Sequence, residues 1–125
     1  NFSGLFCMSQ CQTFGGGFKV TPGAHPTQGH GSLLMAFGLS KLQMLLVMGP
    51  LEKGTHVGKW GKISMRDATR LEVRALGEDG EPSNDAHNPT MFVNVDGEAV
   101  LTTPIMMSYH NAQLTVRGAE TIPNN

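Results

Sequence analysis

Charged and aromatic side chains are scarce in this sequence. Only 15% of the 125 residues are charged, the formal net charge is −1, and aromatic residues make up 6%. A chain so close to neutral has no overall attraction for polyanions, so we expect no nucleic-acid partner. The charges are unevenly placed, with most bases between residues 53 and 74 and most acids between residues 78 and 98. These two regions either hold a phosphate beside a metal site or form two differently charged solvated surfaces, and the second is the commoner case.

Cysteine is nearly absent as well, because Cys7 and Cys11 are the only two. On an extended strand these positions lie about 13 Å apart, beyond the reach of a disulfide bond. The sequence therefore predicts free, buried thiols in a reducing, intracellular compartment, either the cytoplasm or the periphery of a membrane. Neighbouring histidines do not complete a familiar ligand spacing, so we expect no metal site here.

Long hydrophobic runs and a recognisable leader are lacking too, so the sequence predicts no membrane-spanning segment. It starts at Asn1 rather than Met, which fits a processed product or a piece of a longer chain. The length is that of one domain, which we place at residues 1–117, followed by a C-terminal tail at residues 118–125.

Turn-forming residues, in contrast, are abundant. The chain holds 16 glycines and 7 prolines, which favour short strands joined by many turns. Apolar or alternating stretches predict strands at residues 5–11, 32–38, 62–65, 70–75, 91–95, 105–109 and 113–116. We therefore predict a mainly β fold, an antiparallel β-sandwich with one or two short helices.

The helix is predicted at residues 41–48, with Ser40 as its N-cap. Its apolar side chains stand on nearly every side, which indicates either deep burial or a groove for a lipid or a partner. Pro50 is expected to kink or restart the helix, and Gly54 to end it.

An acidic hairpin is predicted at residues 91–98. Asp96 and Gly97 form a tight turn after a half-buried strand, and Glu98 follows beside the second carboxylate. Taken alone, these acids are either solvated turn residues or groups that bind a metal, orient a hydroxyl or take a proton.

A run of three glycines, Gly15, Gly16 and Gly17, allows a ligand or another strand to approach the backbone closely. It matches neither a Walker loop nor the dinucleotide fingerprint, so a bend or bulge is the expected role. His25 and His30 lie in the long loop that follows, where solvated side chains are expected rather than metal ligands or proton shuttles.

The order of these motifs resembles that of the diacylglycerol kinase-like and sphingosine kinase-like lipid kinases. Residues 15–24 are similar to that family's GGG-x-x-x-x-P-x-A segment, residues 39–56 to its apolar helix and KG-x-H segment, and residues 95–98 to its DGE motif. Each motif alone is weak, but the ordered set spans nearly the whole chain. The resemblance implies the C-terminal half of a lipid kinase, a β-sandwich that carries the lipid site.

The resemblance also implies which residues form the site. Glu98, with Asp96, matches the acidic motif beside the phosphoryl-transfer site, where it orients the lipid hydroxyl or helps to place Mg²⁺. The three glycines are expected near the cleft between the two halves of the kinase. The helix side chains that match the shelter for the lipid chain are Leu42, Leu45, Leu46 and Met48.

The family uses ATP and Mg²⁺, but its Gly-Gly-Asp-Gly-Thr nucleotide loop is absent from these residues. We therefore expect that this chain alone binds neither and is inactive in isolation. Gln28 stands where the family usually has Asp, and a neutral amide does not hold a cation as a carboxylate does.

The partners implied by the resemblance are a lipid substrate, a nucleotide-binding domain or partner chain, and a peripheral membrane contact. A catalytically inactive domain that serves as a structural or interaction subunit is the alternative. A third interpretation is an unrelated β-sandwich that binds a ligand.

Overall fold

The computed structural model describes residues 4–77, 80–82 and 92–110. The predicted strand at residues 113–116, the tail at residues 118–125 and the start of the acidic strand at Met91 lie outside these described residues. The elements run in the order β1 Gly4–Ser9, β2 Gly31–Phe37, α1 Lys41–Leu46, α2 Met48–Lys53, β3 Ile63–Ala68, β4 Arg70–Val73, β5 Phe92–Val95, β6 Glu98–Thr102 and β7 Ile105–Ser108, with a 3-10 turn at Lys59–Gly61 before β3.

The largest sheet has three antiparallel strands in the order β1-β2-β3. The central strand β2 carries buried side chains on both of its faces, including Ser32, Leu33, Leu34 and Ala36. A strand that is covered on both faces is expected to be a continuous apolar run rather than an alternating one, and the sequence of β2 is such a run. The alternation in β3, by contrast, buries Ile63 and leaves Ser64 exposed.

The hydrophobic core lies against one face of this sheet. Its buried centre consists of Val20, Leu34, Ala36 and Ile63. Around this centre pack the half-buried side chains of Cys7, Phe18, Leu39, Val47, Leu51 and Met65. The core therefore joins all three strands to the segment after the glycine run and to the two short helices.

The helical segment is one bent helix made of α1 and α2. Ser40 and Gln43 form a reciprocal capping box at its start, which satisfies backbone donors that the first turn leaves unpaired. The bend falls at Val47, and Gly54 ends α2 in the left-handed conformation with φ 72°. The predicted cap and stop are confirmed, whereas the break falls at Val47 rather than at Pro50, which lies in the first turn of α2.

Only a narrow stripe of this bent helix faces the core, through Val47 and Leu51. These positions are four residues apart and so lie on the same helical face. The other apolar side chains are exposed to solvent. Deep burial, one of the two readings of the apolar pattern, is therefore wrong, because the pattern shows which side chains are apolar and not how many neighbours cover them.

Two further antiparallel sheets complete the described fold, one pairing β4 with β7 and the other pairing β5 with β6. Tyr109, just after β7, connects the first of these to the large sheet. Its backbone N–H donates to the Thr69 carbonyl at 2.8 Å, and its ring lies where a side chain at Gly31 would stand. The predicted mainly β, antiparallel sandwich-like fold with one bent helix is confirmed.

The cysteines are both free. Cys7 is half-buried in β1, and burial raises the pKa of its thiol to about 11. Cys11 lies beyond the end of β1 and is exposed, so the prediction of two buried thiols is wrong for this residue. In the described part of the chain, no helix is both long and apolar enough to cross a membrane.

Candidate functional site

The glycine run forms the exposed tip of a small turn. The Phe14 N–H donates to the Phe18 carbonyl at 2.9 Å, which closes the chain around Gly15, Gly16 and Gly17. All three glycines have positive φ angles, of 30°, 34° and 97°. L side chains rarely adopt such a conformation, so the backbone geometry itself accounts for glycine at these positions. The expected bend is confirmed, and its tip is open to solvent.

The end of this glycine turn is attached to the bent helix. The Lys19 N–H donates to the Leu51 carbonyl at 3.1 Å. A Cβ atom at Gly54 would lie 3.3 Å from the Cβ atoms of both Lys19 and Pro22. The chain after the turn therefore packs closely on the end of α2, and this close approach favours glycine at residue 54.

His56 provides a second attachment between the same two segments. Its side chain is only 1% exposed, and Nε2 donates to the Val20 carbonyl at 3.0 Å. Because the acceptor is a carbonyl, Nε2 carries the proton and Nδ1 is left bare; among the described residues Nδ1 has no hydrogen-bond partner. Burial lowers the pKa of His56 below its usual value, while the backbone carbonyls of Val20 and Pro50 partly oppose this shift.

His56 is the histidine of the KG-x-H segment, and the resemblance implied no role for it. A lone histidine after a helix carries no periodic signal of burial. Its partner Val20 is 36 residues away, which local spacing cannot reveal. The structure identifies it as one of two hydrogen-bonded attachments between the segment after the glycine turn and the end of the helical segment.

The long loop that follows is held by side-chain to backbone bonds. Thr21 is fully buried and donates to the Cys11 carbonyl at 2.6 Å. Gln28 accepts from the His25 N–H at 3.2 Å and donates to the Gly23 carbonyl at 3.4 Å. In this chain Gln28 therefore closes a turn. The His25 ring is exposed, as the solvated-loop interpretation expected.

His30 differs from that expectation because it is only partly exposed and lies close to an acid. Its Nδ1 is 3.6 Å from Oδ1 of Asp67, and the same oxygen accepts a hydrogen bond from Ser32 Oγ at 3.2 Å. Asp67 comes from β3, opposite Ser32 in the pairing with β2. Asp67 thus places a carboxylate beside His30 and Ser32 from a neighbouring strand, a contact that residue spacing along the chain does not show.

The predicted lipid-chain residues form an exposed surface of the bent helix. Leu42 is 64% exposed and Leu45 is 70% exposed. We use the name apolar helix surface for the exposed side chains of Leu42, Met44, Leu45, Leu46 and Met48. Exposed leucines in such a group are uncommon on a soluble surface and mark a region that contacts another apolar body.

The acidic pair lies at the tip of the β5–β6 hairpin. Asp96 and Gly97 occupy the turn with φ angles of 51° and 99°, the positive values that a two-residue hairpin turn of the primed type requires. The Gly97 N–H donates to Asn94 Oδ1 at 2.9 Å and so fixes the turn. Glu98 begins β6 opposite Val95. The predicted turn is confirmed, and both carboxylates are exposed.

A bulge lies just below this tip. The register of β5 and β6 shifts between Val93 and Asn94, so that Val100 has no direct partner on β5. A bulge of this kind bends and twists a strand pair and changes the direction of the residues beyond it. It therefore sets the orientation of the end of the hairpin that carries Asp96 and Glu98.

The structure links two of the three predicted site components indirectly. The segment after the glycine turn packs on the end of the bent helix that carries the apolar helix surface, through Lys19 with Leu51 and Val20 with His56. The acidic hairpin is a separate two-stranded sheet, and within the described ranges no extensive packing joins β5 or β6 to the large sheet. The hairpin's place beside the other two components remains a prediction.

The acidic pair does not fit a magnesium ion by itself. Asp96 and Glu98 are two exposed carboxylates, and among the described residues no group of three or more His, Cys, Asp or Glu side chains is arranged to hold a metal. Mg²⁺ demands near-ideal octahedral geometry with several oxygen ligands. Any such ion would therefore depend on ligands that these residues do not supply.

Comparison with known proteins gives one family. The family described as "YegS C-terminal NAD kinase beta sandwich-like domain" matches residues 3–118. This match spans the glycine turn, the bent helix and the acidic hairpin together. No curated protein and no solved structure is significantly similar to the chain.

Proposed function

The chain belongs to the YegS C-terminal domain family and is a lipid-kinase-like C-terminal domain, and we propose that it forms the lipid-binding half of an ATP-dependent lipid kinase. The acceptor is a lipid with a free hydroxyl, of the diacylglycerol or sphingoid type. The nucleotide is held by a separate N-terminal half or by a partner chain.

One observation carries this proposal: the segment that follows the glycine turn is attached to the end of the bent helix that carries the apolar helix surface. The Lys19 to Leu51 hydrogen bond joins this segment to α2, and the His56 to Val20 hydrogen bond joins it to the residues just after α2. Burying a lipid chain gains about 0.8 kcal/mol per methylene, so a surface of exposed leucines and methionines favours an acyl or alkyl chain. The bare backbone of the glycines lets a head group or a second domain approach closely beside it.

The acidic hairpin supplies the chemistry in this proposal. In phosphoryl transfer the acceptor oxygen forms its bond to the γ-phosphorus while the bond from that phosphorus to ADP breaks, and the hydroxyl proton passes to a base. We assign the base to Glu98, which accepts a hydrogen bond from the lipid hydroxyl. Asp96 adds negative charge beside it. This role requires the hairpin to reach the cleft where the two halves meet.

The nucleotide and its magnesium ion are assigned to the other half. The described residues offer no metal cluster, and the Gly-Gly-Asp-Gly-Thr loop is absent from the sequence. The free cysteines are compatible with a reducing compartment, so the proposed location is the cytoplasm or a membrane facing it.

One observation favours a second function: the Gln28 side chain is engaged in hydrogen bonds to the backbone of its own loop. Its amide bonds to the backbone at His25 and Gly23 and closes a loop where the related kinases usually have an acid. In this alternative the domain has lost catalysis and serves as an interaction subunit of an assembly.

The test is transfer of labelled γ-phosphate from ATP by the complete protein. Diacylglycerol, sphingosine and ceramide serve as acceptors, each in a soluble short-chain form. We expect a labelled lipid with the complete protein and none with the 125-residue chain alone. No labelled lipid from the complete protein, with any acceptor, would reject the kinase proposal in favour of the interaction subunit. Turnover by the chain alone would reject the two-half arrangement.

A further inference from the structure

We propose that the outer edge of β1 pairs with the β1 edge of a second copy of this chain, in an antiparallel arrangement with two-fold symmetry. The large sheets of the two copies then join into one continuous sheet, in the order β3-β2-β1-β1-β2-β3. This inference does not rest on the proposed function, because β1 contributes no residue to the glycine turn, the apolar helix surface or the acidic hairpin. It adds a partner, a second copy, and the strand that binds it.

The first support is the unpaired backbone of β1. The strand spans Gly4–Ser9 and, among the residues that the structure describes, it forms a ladder only with β2. In an antiparallel pair the backbone groups of alternate residues point away from the partner strand. The outward N–H and C=O groups of β1 therefore form a template for a further strand.

The second support is the lack of the features that normally protect an edge. The sequence of β1 is Gly-Leu-Phe-Cys-Met-Ser, without a charge or a proline. The other edge of the same sheet, β3, carries Arg66 and Asp67, which are both exposed. Edge strands that face solvent commonly carry such charges, because a long apolar edge pairs with other chains. The contrast marks β1 as the edge that is paired and β3 as the edge that ends the sheet.

The third support is the presence of large apolar side chains on both faces of β1. Leu5 lies opposite Ala36, on the core face of the sheet, and is 50% exposed. Phe6 lies opposite Met35, on the other face, and is 41% exposed. A strand added along β1 covers part of both side chains, and this burial of apolar surface favours the pairing.

The β1 edge is suited to a copy of itself. Paired residues of an antiparallel ladder point to the same face, so the two-fold arrangement places Phe6 opposite Phe6 of the second copy, or Cys7 opposite Cys7 of the second copy. Because β1 carries no charge, neither register brings like charges together. The pairing uses the free edge of each copy, so the assembly closes at a dimer.

Another possible occupant of the edge is the strand predicted at residues 113–116, which lies outside the described residues. In the sequence this segment follows β7 after a short loop, and two strands so connected are expected to form a hairpin with each other. We therefore expect it beside β7, which leaves the β1 edge to the second copy.

Sedimentation velocity of the complete protein over a range of concentrations tests this. The wild-type protein is expected to shift from monomer to dimer as its concentration rises. Phe6→Lys is expected to raise the dissociation constant of the dimer at least about tenfold. The two new ammonium groups would lie directly opposite each other or on the adjacent diagonal, about 7–8 Å apart, and would repel.

The matched control is Ser64→Lys, at the other edge of the sheet. Met35 lies between Phe6 and Ser64 in the ladder, so the control places the same charge on the same face, next to the same residue of β2. Ser64 is exposed, and its variant is expected to dimerise like the wild-type protein. Circular dichroism checks that both variants are folded.

Amide hydrogen exchange of the wild-type protein is a second measurement, which needs no substitution. Peptides that cover residues 4–9 are expected to exchange more slowly in the dimer than after dilution to the monomer, because the pairing protects the outward N–H groups. Peptides that cover residues 63–68 are expected to exchange at the same rate in both states. If Phe6→Lys does not fold, this comparison decides the question.

Three results overturn the proposal: a complete protein that stays monomeric at every concentration, a dimer that Phe6→Lys weakens no more than Ser64→Lys, or exchange at residues 4–9 that dilution does not change. The last result would show that a second copy does not cover this edge. None of these readouts depends on transfer of γ-phosphate, so failure of the kinase proposal leaves the dimer standing, and loss of the dimer leaves the kinase proposal standing.

Discussion

Replacing His56 by Ala is expected to loosen the attachment between the glycine segment and the bent helix. The side chain is 1% exposed, and its Nε2 bonds to the Val20 carbonyl at 3.0 Å. Its removal leaves a buried carbonyl unpaired, which costs about 1–3 kcal/mol, and it also leaves a cavity. We expect a loss of about 3 kcal/mol in the free energy of unfolding, which lowers the melting temperature by about 10 °C for a domain of this size.

The assay is urea unfolding of the chain at pH 8, with His25→Ala as the matched control. The His25 ring is exposed, so its removal is expected to change the unfolding free energy by less than about 0.5 kcal/mol. A His56→Gln variant keeps an amide donor near the Val20 carbonyl and is expected to recover part of the lost stability. If His56→Ala is no more destabilising than His25→Ala, the attachment does not have the role given to it here.

The burial of His56 also predicts how the free energy of unfolding depends on pH. Burial lowers the pKa of His56 in the folded chain, whereas in the unfolded chain it stays near its ordinary value of about 6.5. Between these two values the unfolded chain binds more protons. The contribution of His56 to stability is therefore complete above about pH 6.5 and is lost as the pH falls through the lower, folded value, with a slope of at most about 1.4 kcal/mol per pH unit. His56→Gln is expected to flatten this part of the profile, and an unchanged slope would contradict the assignment.

Two further predictions concern the sheet and the thiols. Gly31→Ala is expected to destabilise the chain by about 2 kcal/mol or more, because the new Cβ would lie 2.5 Å from the Tyr109 ring. In a Tyr109→Ala background the same Gly31 change is expected to be nearly neutral in urea unfolding. Additive effects of the two substitutions would show that residue 31 and the Tyr109 ring do not contact each other. Cys11 is expected to react with iodoacetamide at pH 8 much faster than Cys7, because Cys11 is exposed whereas burial raises the pKa of Cys7 to about 11. Equal rates by peptide mass mapping would contradict the burial of Cys7.

The local elements were predictable from sequence because their signals are local. The Ser40 cap, the stop at Gly54 and the Asp96-Gly97 turn each depend on side-chain and backbone chemistry within a few residues. The central strand β2 was predictable from its uninterrupted apolar run.

The features that were missed depend on contacts between distant parts of the chain. Lys19 meets Leu51, and Val20 meets His56, across more than thirty residues. Nor does the periodicity of a helix that is apolar all round reveal how much of it is covered, which is why the sequence left burial and exposure of Leu45 as alternatives. The acidic hairpin shows the remaining limit. The resemblance in motif order implies that Glu98 lies beside a transfer site, but the described packing leaves the hairpin as its own sheet.

The measurement that tests the central claim most directly is γ-phosphate transfer to lipid by the complete protein carrying Glu98→Gln. The matched control is Glu81→Gln, an exposed acid outside the proposed site. The account predicts that the Glu98 change lowers kcat at least about a hundredfold with the melting temperature unchanged, because the base is lost, and that the Glu81 change leaves kcat as it was. A Glu98→Gln protein that turns over lipid at the wild-type rate would contradict the account.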